Sequence, residues 1–141
     1  MRKFINLCLN FLILIKCAIT KARFWIIREH RYEKTIKKNY QFRWIIKKGK
    51  KVNKKTVRVF ITNNKEKKNK MGIAIKKNIK SAILRNRVKR VIREVYRLEE
   101  KKLKQHYNII ICFNTDSVNY NDIYSDIKKA FYELDMYIDK G

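Results

Sequence analysis

The segment Tyr107–Phe113 (YNIIICF) runs almost without polar interruption. So short an apolar run, with three consecutive isoleucines, predicts a strand at the centre of a sheet. Two further strands are legible. Thr56–Thr62 (TVRVFIT) is β-branched and alternating, and Met71–Lys76 (MGIAIK) is short and apolar. The polar segment Asn63–Lys70 between them is brief enough to predict that these two pair antiparallel.

Helical periodicity accounts for most of the remainder. Ile36, Phe42, Ile45 and Ile46, with Lys37, Lys38, Arg43, Lys47 and Lys48 between them, predict a short basic helix closed by Gly49. Ser81 opens the longest helix, to about Lys104. Leu84, Val88, Val91, Val95 and Leu98 form its expected core stripe, and Arg85, Asn86, Lys89, Arg90, Arg93 and Arg97 lie opposite. Ile123, Ile127, Ala130, Phe131 and Leu134 predict a third helix over Tyr120–Tyr137. The expected fold is an α/β (α+β) sandwich, a small mixed sheet of about four strands with three helices. It forms one domain over 32–141, preceded by an extension over 1–31.

The extension has a basic start (Met1-Arg2-Lys3) and twelve residues between Lys3 and Lys16, interrupted by Asn6 and Asn10. A membrane-spanning helix needs about 20. A signal peptide would share the basic start, but no small-x-small cleavage site follows, and Lys16 before Cys17 is wrong for a lipoprotein. The extension is expected to be dispensable, although Trp25-Ile26-Ile27 could pack on the domain. Cys8, Cys17 and Cys112 are far apart and odd in number, and His30 and His106 have no partner at ligand spacing. Free thiols in a reducing, cytoplasmic compartment are the expectation.

Charge narrows the function. Lys and Arg number 37 against 12 acids, a net charge of +25 in 141 residues. Such an excess self-repels in a compact chain unless a polyanion offsets it. Lys, Asn and Ile are read from AT-rich codons, which accounts for part of the lysine content and none of the deficit in acids. There is no Pro, and three Gly cannot build a phosphate-cradling loop. No Ser/His/Asp or Cys/His set is visible, and Asp116, Asp122, Asp126, Asp135 and Asp139 lack calcium-loop spacing. Glu99-Glu100 beside Lys101 and Lys102 reads as surface ion pairing. No catalytic residue and no metal ligand is expected on the protein.

The most informative string is Arg85-Asn86-Arg87-Val88-Lys89-Arg90-Val91-Ile92-Arg93-Glu94-Val95-Tyr96-Arg97. Its outer ridge is mostly Arg, which grips phosphates bidentately where Lys offers a point charge. The pattern Arg-Asn-Arg-x-Lys-Arg-x-x-Arg-Glu resembles that of the protein subunit of bacterial-type ribonuclease P. The resemblance continues through Met71–Leu84 upstream, through Tyr107–Phe113 and the last helix downstream, and through Phe42–Gly49 at the front. It covers about 110 residues.

The resemblance implies a fold like ribosomal protein S5 domain 2, with a left-handed strand–helix–strand crossover. It implies an accessory role, in which the RNA subunit removes the 5′ leader of precursor tRNA with Mg²⁺ held through RNA, and the protein binds no cofactor of its own. The implied partners are the catalytic RNA and precursor tRNA. Arg85, Asn86, Arg87, Lys89, Arg90 and Arg93 match the family's basic motif. Arg97 extends the ridge, and Lys76 and Lys77 lie near the leader cleft. Phe42, Ile46, Phe60 and Tyr137 match positions lining that cleft, with Phe42 and Tyr137 flanking it from the first and last helices. Phe60 shares a strand face with Arg58 and Thr62, where an aromatic beside a cation suits base stacking better than core. Plain core remains the alternative for Phe42, Ile46 and Phe60. Lys80 stands where the family usually has Gly, so the entry to the basic helix is expected to differ. Ser-Lys-Lys is replaced by Lys76-Lys77-Asn78, and a common aromatic by Ile46. The rival functions are a generic RNA-binding or ribosomal protein, a DNA-recognition helix and a protein-only nuclease. The last would need clustered carboxylates, and the second lacks a helix-turn partner upstream.

Overall fold

The computed structural model describes residues 35–138, so the expectations for the extension lie outside the described residues. The elements run α1 (Asn39–Lys48), β1 (Lys50–Asn53), β2 (Val57–Asn63), β3 (Lys70–Ile75), α2 (Ala82–Glu99), a 3₁₀ turn (Glu100–Lys102), β4 (Tyr107–Phe113) and α3 (Tyr120–Glu133). The four strands form one mixed sheet in the order β1-β2-β4-β3. The α+β sandwich with three helices is as expected. Among the described residues no helix is long and apolar enough to cross a membrane.

The expected pairing of β2 with β3 does not occur. β4 lies between them, antiparallel to β2 (Val57 opposite Phe113) and parallel to β3 (Ile75 opposite Phe113). Ile109, Ile110, Ile111 and Phe113 are all fully buried, which only the central position allows. A β2–β3 hairpin would have pushed the most apolar strand to an edge. Instead the β2–β3 loop crosses the foot of β4 and is tied there by asparagines. Asn69 donates to the Lys104 carbonyl (2.8 Å) and accepts from the Tyr107 N–H (2.9 Å), and the Asn64 N–H donates to the His106 carbonyl (2.7 Å). β1 is a strand not foreseen, because KKVN carries a single apolar residue.

Alternation divides the sheet into two faces. Val57, Val59 and Ile61 of β2 and Ile109, Ile111 and Phe113 of β4 point to one face, where α2 and α3 complete the main core. Phe60, Ile110 and Cys112 point to the other, beneath α1, with Ile36, Phe42 and Ile45. Gly49 ends α1 as expected, but with φ −74° and no left-handed turn. Close approach requires glycine there, since a Cβ would lie 2.5 Å from the Ile45 carbonyl oxygen and 2.8 Å from that of Ile61.

α2 is turned from its expected orientation. Its buried positions are Val88, Ile92, Val95, Tyr96 and Glu99, while Leu84 and Leu98 are 37% and 44% exposed and Val91 is half-buried. The rotation seats Ile92 and Tyr96 in the main core and carries Glu99 inward. The Glu99 side chain is 1% exposed and accepts from the Tyr124 hydroxyl at Oε1 and the Tyr137 hydroxyl at Oε2, each 3.0 Å away. Burial pushes the Glu99 carboxyl up, but those two donors and the Lys102 ammonium outweigh it and hold it below its ordinary value. The expected ion pairing is present, with the Lys102 ammonium 3.5 Å from Oε1, but Glu99 itself is an interior acceptor rather than a surface residue.

The third helix stops at Glu133, short of Tyr137. Asp135 adopts φ 54°, which turns the chain back. The returning segment runs beside the 3₁₀ turn, with Lys104 N–H donating to the Met136 carbonyl and a Leu103–Tyr137 bridge.

Candidate nucleic-acid interface

Ser81 caps α2, its Oγ accepting from the Leu84 N–H at 3.4 Å. Lys80 does not take positive φ; among the described residues only His106 and Asp135 do outside glycine. The helix starts cleanly without the family's glycine. From there α2 presents Arg85, Asn86, Arg87, Arg90, Arg93 and Arg97 to solvent, with Lys89 half-buried. At about 100° per residue, Arg90 and Arg97 project opposite Val88 and Val95, and Arg93 flanks them. The rotation of the core stripe therefore leaves the cationic ridge intact. Arg97 forks onto Glu94, with Nε and a terminal nitrogen 3.0 and 2.6 Å from its two oxygens, and this holds the Glu94 carboxyl below its ordinary value. Arg85, Arg87, Arg90 and Arg93 form no ion pair among the described residues. Among the described residues these four guanidinium groups thus stand free for an external anion.

Lys76 and Lys77 are exposed in the short segment joining β3 to α2, with the Lys76 N–H donating to the Phe113 carbonyl. This places them at the end of the sheet where the ridge begins.

The second region is the sheet face beneath α1. The helix crosses this face at its lower half, from the β3 edge, where the Ile36 N–H donates to the Met71 carbonyl, to the start of β1. It leaves the upper half uncovered. There Arg58 is exposed, opposite Cys112 on β4 and Asn53 on β1, and alternation adds Ala74 and Lys51 to the same face. Cys112 is a half-buried free thiol pushed up by burial, against the pull of the Arg58 charge. Half-buried Phe42 and 42% exposed Ile46 form the α1 lip of this open floor.

Two expected cleft residues sit elsewhere. Phe60 is 4% exposed, enclosed by Ile36, Ile45 and Ile110, so its ring presents no face for stacking. Its side of the sheet was right, but α1 covers it. Tyr137 lies beyond α3 and packs with the main core on the opposite face, its hydroxyl on Glu99. It cannot flank a groove with Phe42. Lys51 and Asn53 joined the face unforeseen, because β1 carries no alternation by which to place them. Among the described residues no group of three or more His, Cys, Asp or Glu comes together. What the surface offers is guanidinium, ammonium and aromatic chemistry.

A ribonuclease P family model matches residues 31–135. The chain is 37% identical over 89 residues to the ribonuclease P protein component of Natranaerobius thermophilus, covering 62% of this chain and 77% of that one. It is 35% identical over 103 residues to that of Clostridium botulinum, covering 72% and 91%. Its fold is similar to the RNase P protein of Staphylococcus aureus, at 27% identity and TM-score 0.68 over 74% of this chain and 98% of that one. It also matches the fold of the Thermotoga maritima protein, at 20% identity and TM-score 0.61 over 67% and 92%. With its helices, mixed sheet and Arg-Asn-Arg ridge in the family's order, the chain belongs to the ribonuclease P protein component family, a part of the ribonucleoprotein endoribonuclease of tRNA processing.

Proposed function

We propose that the chain is the RNA-binding cofactor of a catalytic RNA. The α2 ridge docks on the RNA subunit, and the open half of the sheet face holds the single-stranded 5′ leader of precursor tRNA. The carrying observation is the set of four guanidinium groups, Arg85, Arg87, Arg90 and Arg93, exposed and unpaired among the described residues, on a helix whose buried stripe is locked into the core. Guanidinium forks match phosphate oxygens, and releasing counterions from RNA drives such binding. Lys76 and Lys77 bridge the ridge to the leader floor formed by Arg58 and its neighbours, with Phe42 and Ile46 as its apolar lip. With Phe60 enclosed, the floor reads the leader through charge and through α1. Hydrolysis, Mg²⁺ and the reacting phosphate belong to the RNA, and the chain works in the cytoplasm.

Reconstitution tests this. Purified protein added to a ribonuclease P RNA at low Mg²⁺ should restore accurate removal of the 5′ leader, and protein alone should cleave nothing. Cleavage by repurified, RNA-free protein would refute the division of labour.

A further inference from the structure

On the lower flank of α1, away from the leader floor, Tyr40, Trp44 and Lys48 stand one helical turn apart. Tyr40 is 63% exposed and Trp44 53%, and the Lys38 ammonium lies 5.7 Å from the centre of the Tyr40 ring. Trp44 borders two cavities. One, of about 600 Å³, opens toward the β2–β3 loop with Lys65 and Lys70. The other, of about 430 Å³, opens toward Lys48 and Lys50 at the foot of the sheet. The acids beside them are engaged, Glu66 by Lys70 and Asp135 by Lys104, whereas Lys48 and Lys65 make no ion pair among the described residues.

We propose that Trp44 is the stacking platform of a second single-stranded RNA groove, one that takes leader nucleotides upstream of those on the sheet floor. Two exposed aromatic rings one helical turn apart, with the Lys38 and Lys48 ammonium groups at either end, match stacked bases and the phosphates beside them along a strand. A protein partner fits less well, because lysine is depleted from protein interfaces and here it rims both cavities. The leader is the strand within reach. Phe42 and Ile46 mark the upper flank of α1 and Trp44 the lower, and a helix with side chains is about 10 Å across, a span of few nucleotides. The groove rests on the assignment of the leader to the sheet floor, and the test separates the two.

The test uses the full chain in reconstituted holoenzyme. Affinity is measured for precursor tRNA with a short leader that fills only the floor and with one extended upstream. Trp44→Ala should weaken binding of the extended leader by roughly 5- to 150-fold and leave the short one unchanged. Trp44→Phe should retain most of the affinity. In a Trp25→Phe background, single-stranded oligoadenylate should quench Trp44 fluorescence. Equal losses for both leaders would overturn the groove, placing Trp44 on the fold or the RNA subunit. No loss, or a changed oligomeric state in Trp44→Ala, would overturn it too, the latter in favour of a protein contact. The double variant Ile46→Ala/Arg58→Ala should weaken both leaders. If it weakens neither, the floor assignment fails. If it weakens both while Trp44→Ala weakens neither, only the groove fails.

Discussion

The ring of Phe42 rests on Gly72, so closely that a Cβ there would lie 2.6 Å from Phe42 Cζ and 2.9 Å from Cε1. This contact sets how closely α1 sits on the sheet beside β3. Gly72→Ala should lift the ring or the helix, at about 1–3 kcal/mol by overpacking. Urea unfolding should show the loss, and adding Phe42→Leu should recover part of it by shortening the opposing side chain. No change in the midpoint for Gly72→Ala would mean that α1 floats free of β3.

Glu99 should make stability fall on the acid side. Its folded carboxyl lies below its ordinary value of 4.5, so its contribution is complete above about pH 4.5 and is lost as pH falls further. Urea midpoints measured down through that range should drop more steeply for the wild type than for Glu99→Gln. Glu99→Leu should cost about 1–3 kcal/mol at neutral pH, because the Tyr124 and Tyr137 hydroxyls lose their acceptor.

Arg90→Ala/Arg93→Ala should weaken binding to the RNA subunit and flatten its salt dependence, by ~0.7–0.9 in log–log slope per lost phosphate contact. Stability should hold, since both side chains are exposed and unpaired among the described residues. Salt titrations of affinity beside urea melts measure both. A double variant that unfolds yet keeps its RNA affinity per folded molecule would place the interface elsewhere.

Phe60→Ala should act on the fold before it acts on the leader. A ring 4% exposed among Ile36, Ile45 and Ile110 leaves a cavity costing about 3–5 kcal/mol. Calorimetry should show that loss, and binding per folded molecule should distinguish precursor from mature tRNA little. A selective loss of leader affinity in a stably folded Phe60→Ala would restore its ring to the cleft.

Local pattern was enough for the ridge and for every element except β1, whose KKVN has no alternation to read. Helix and strand periods depend on residues a few positions apart, and Arg90, Arg93 and Arg97 remain outward over a wide range of rotations of α2. The apolar run of β4 likewise announced a central strand. Tertiary structure decided whatever depends on distant neighbours. Strand order came from the competition of β2, β3 and β4 for the buried centre, which β4 won with four fully buried side chains. The register of α2 came from Tyr124 and Tyr137 donating to Glu99, 25 and 38 residues away in the chain. The fate of Phe60 came from where α1 lies across its face, and that of Tyr137 from a left-handed turn at Asp135. A side chain's environment on a sheet is set by what covers that face, and the covering helix is encoded elsewhere in the chain.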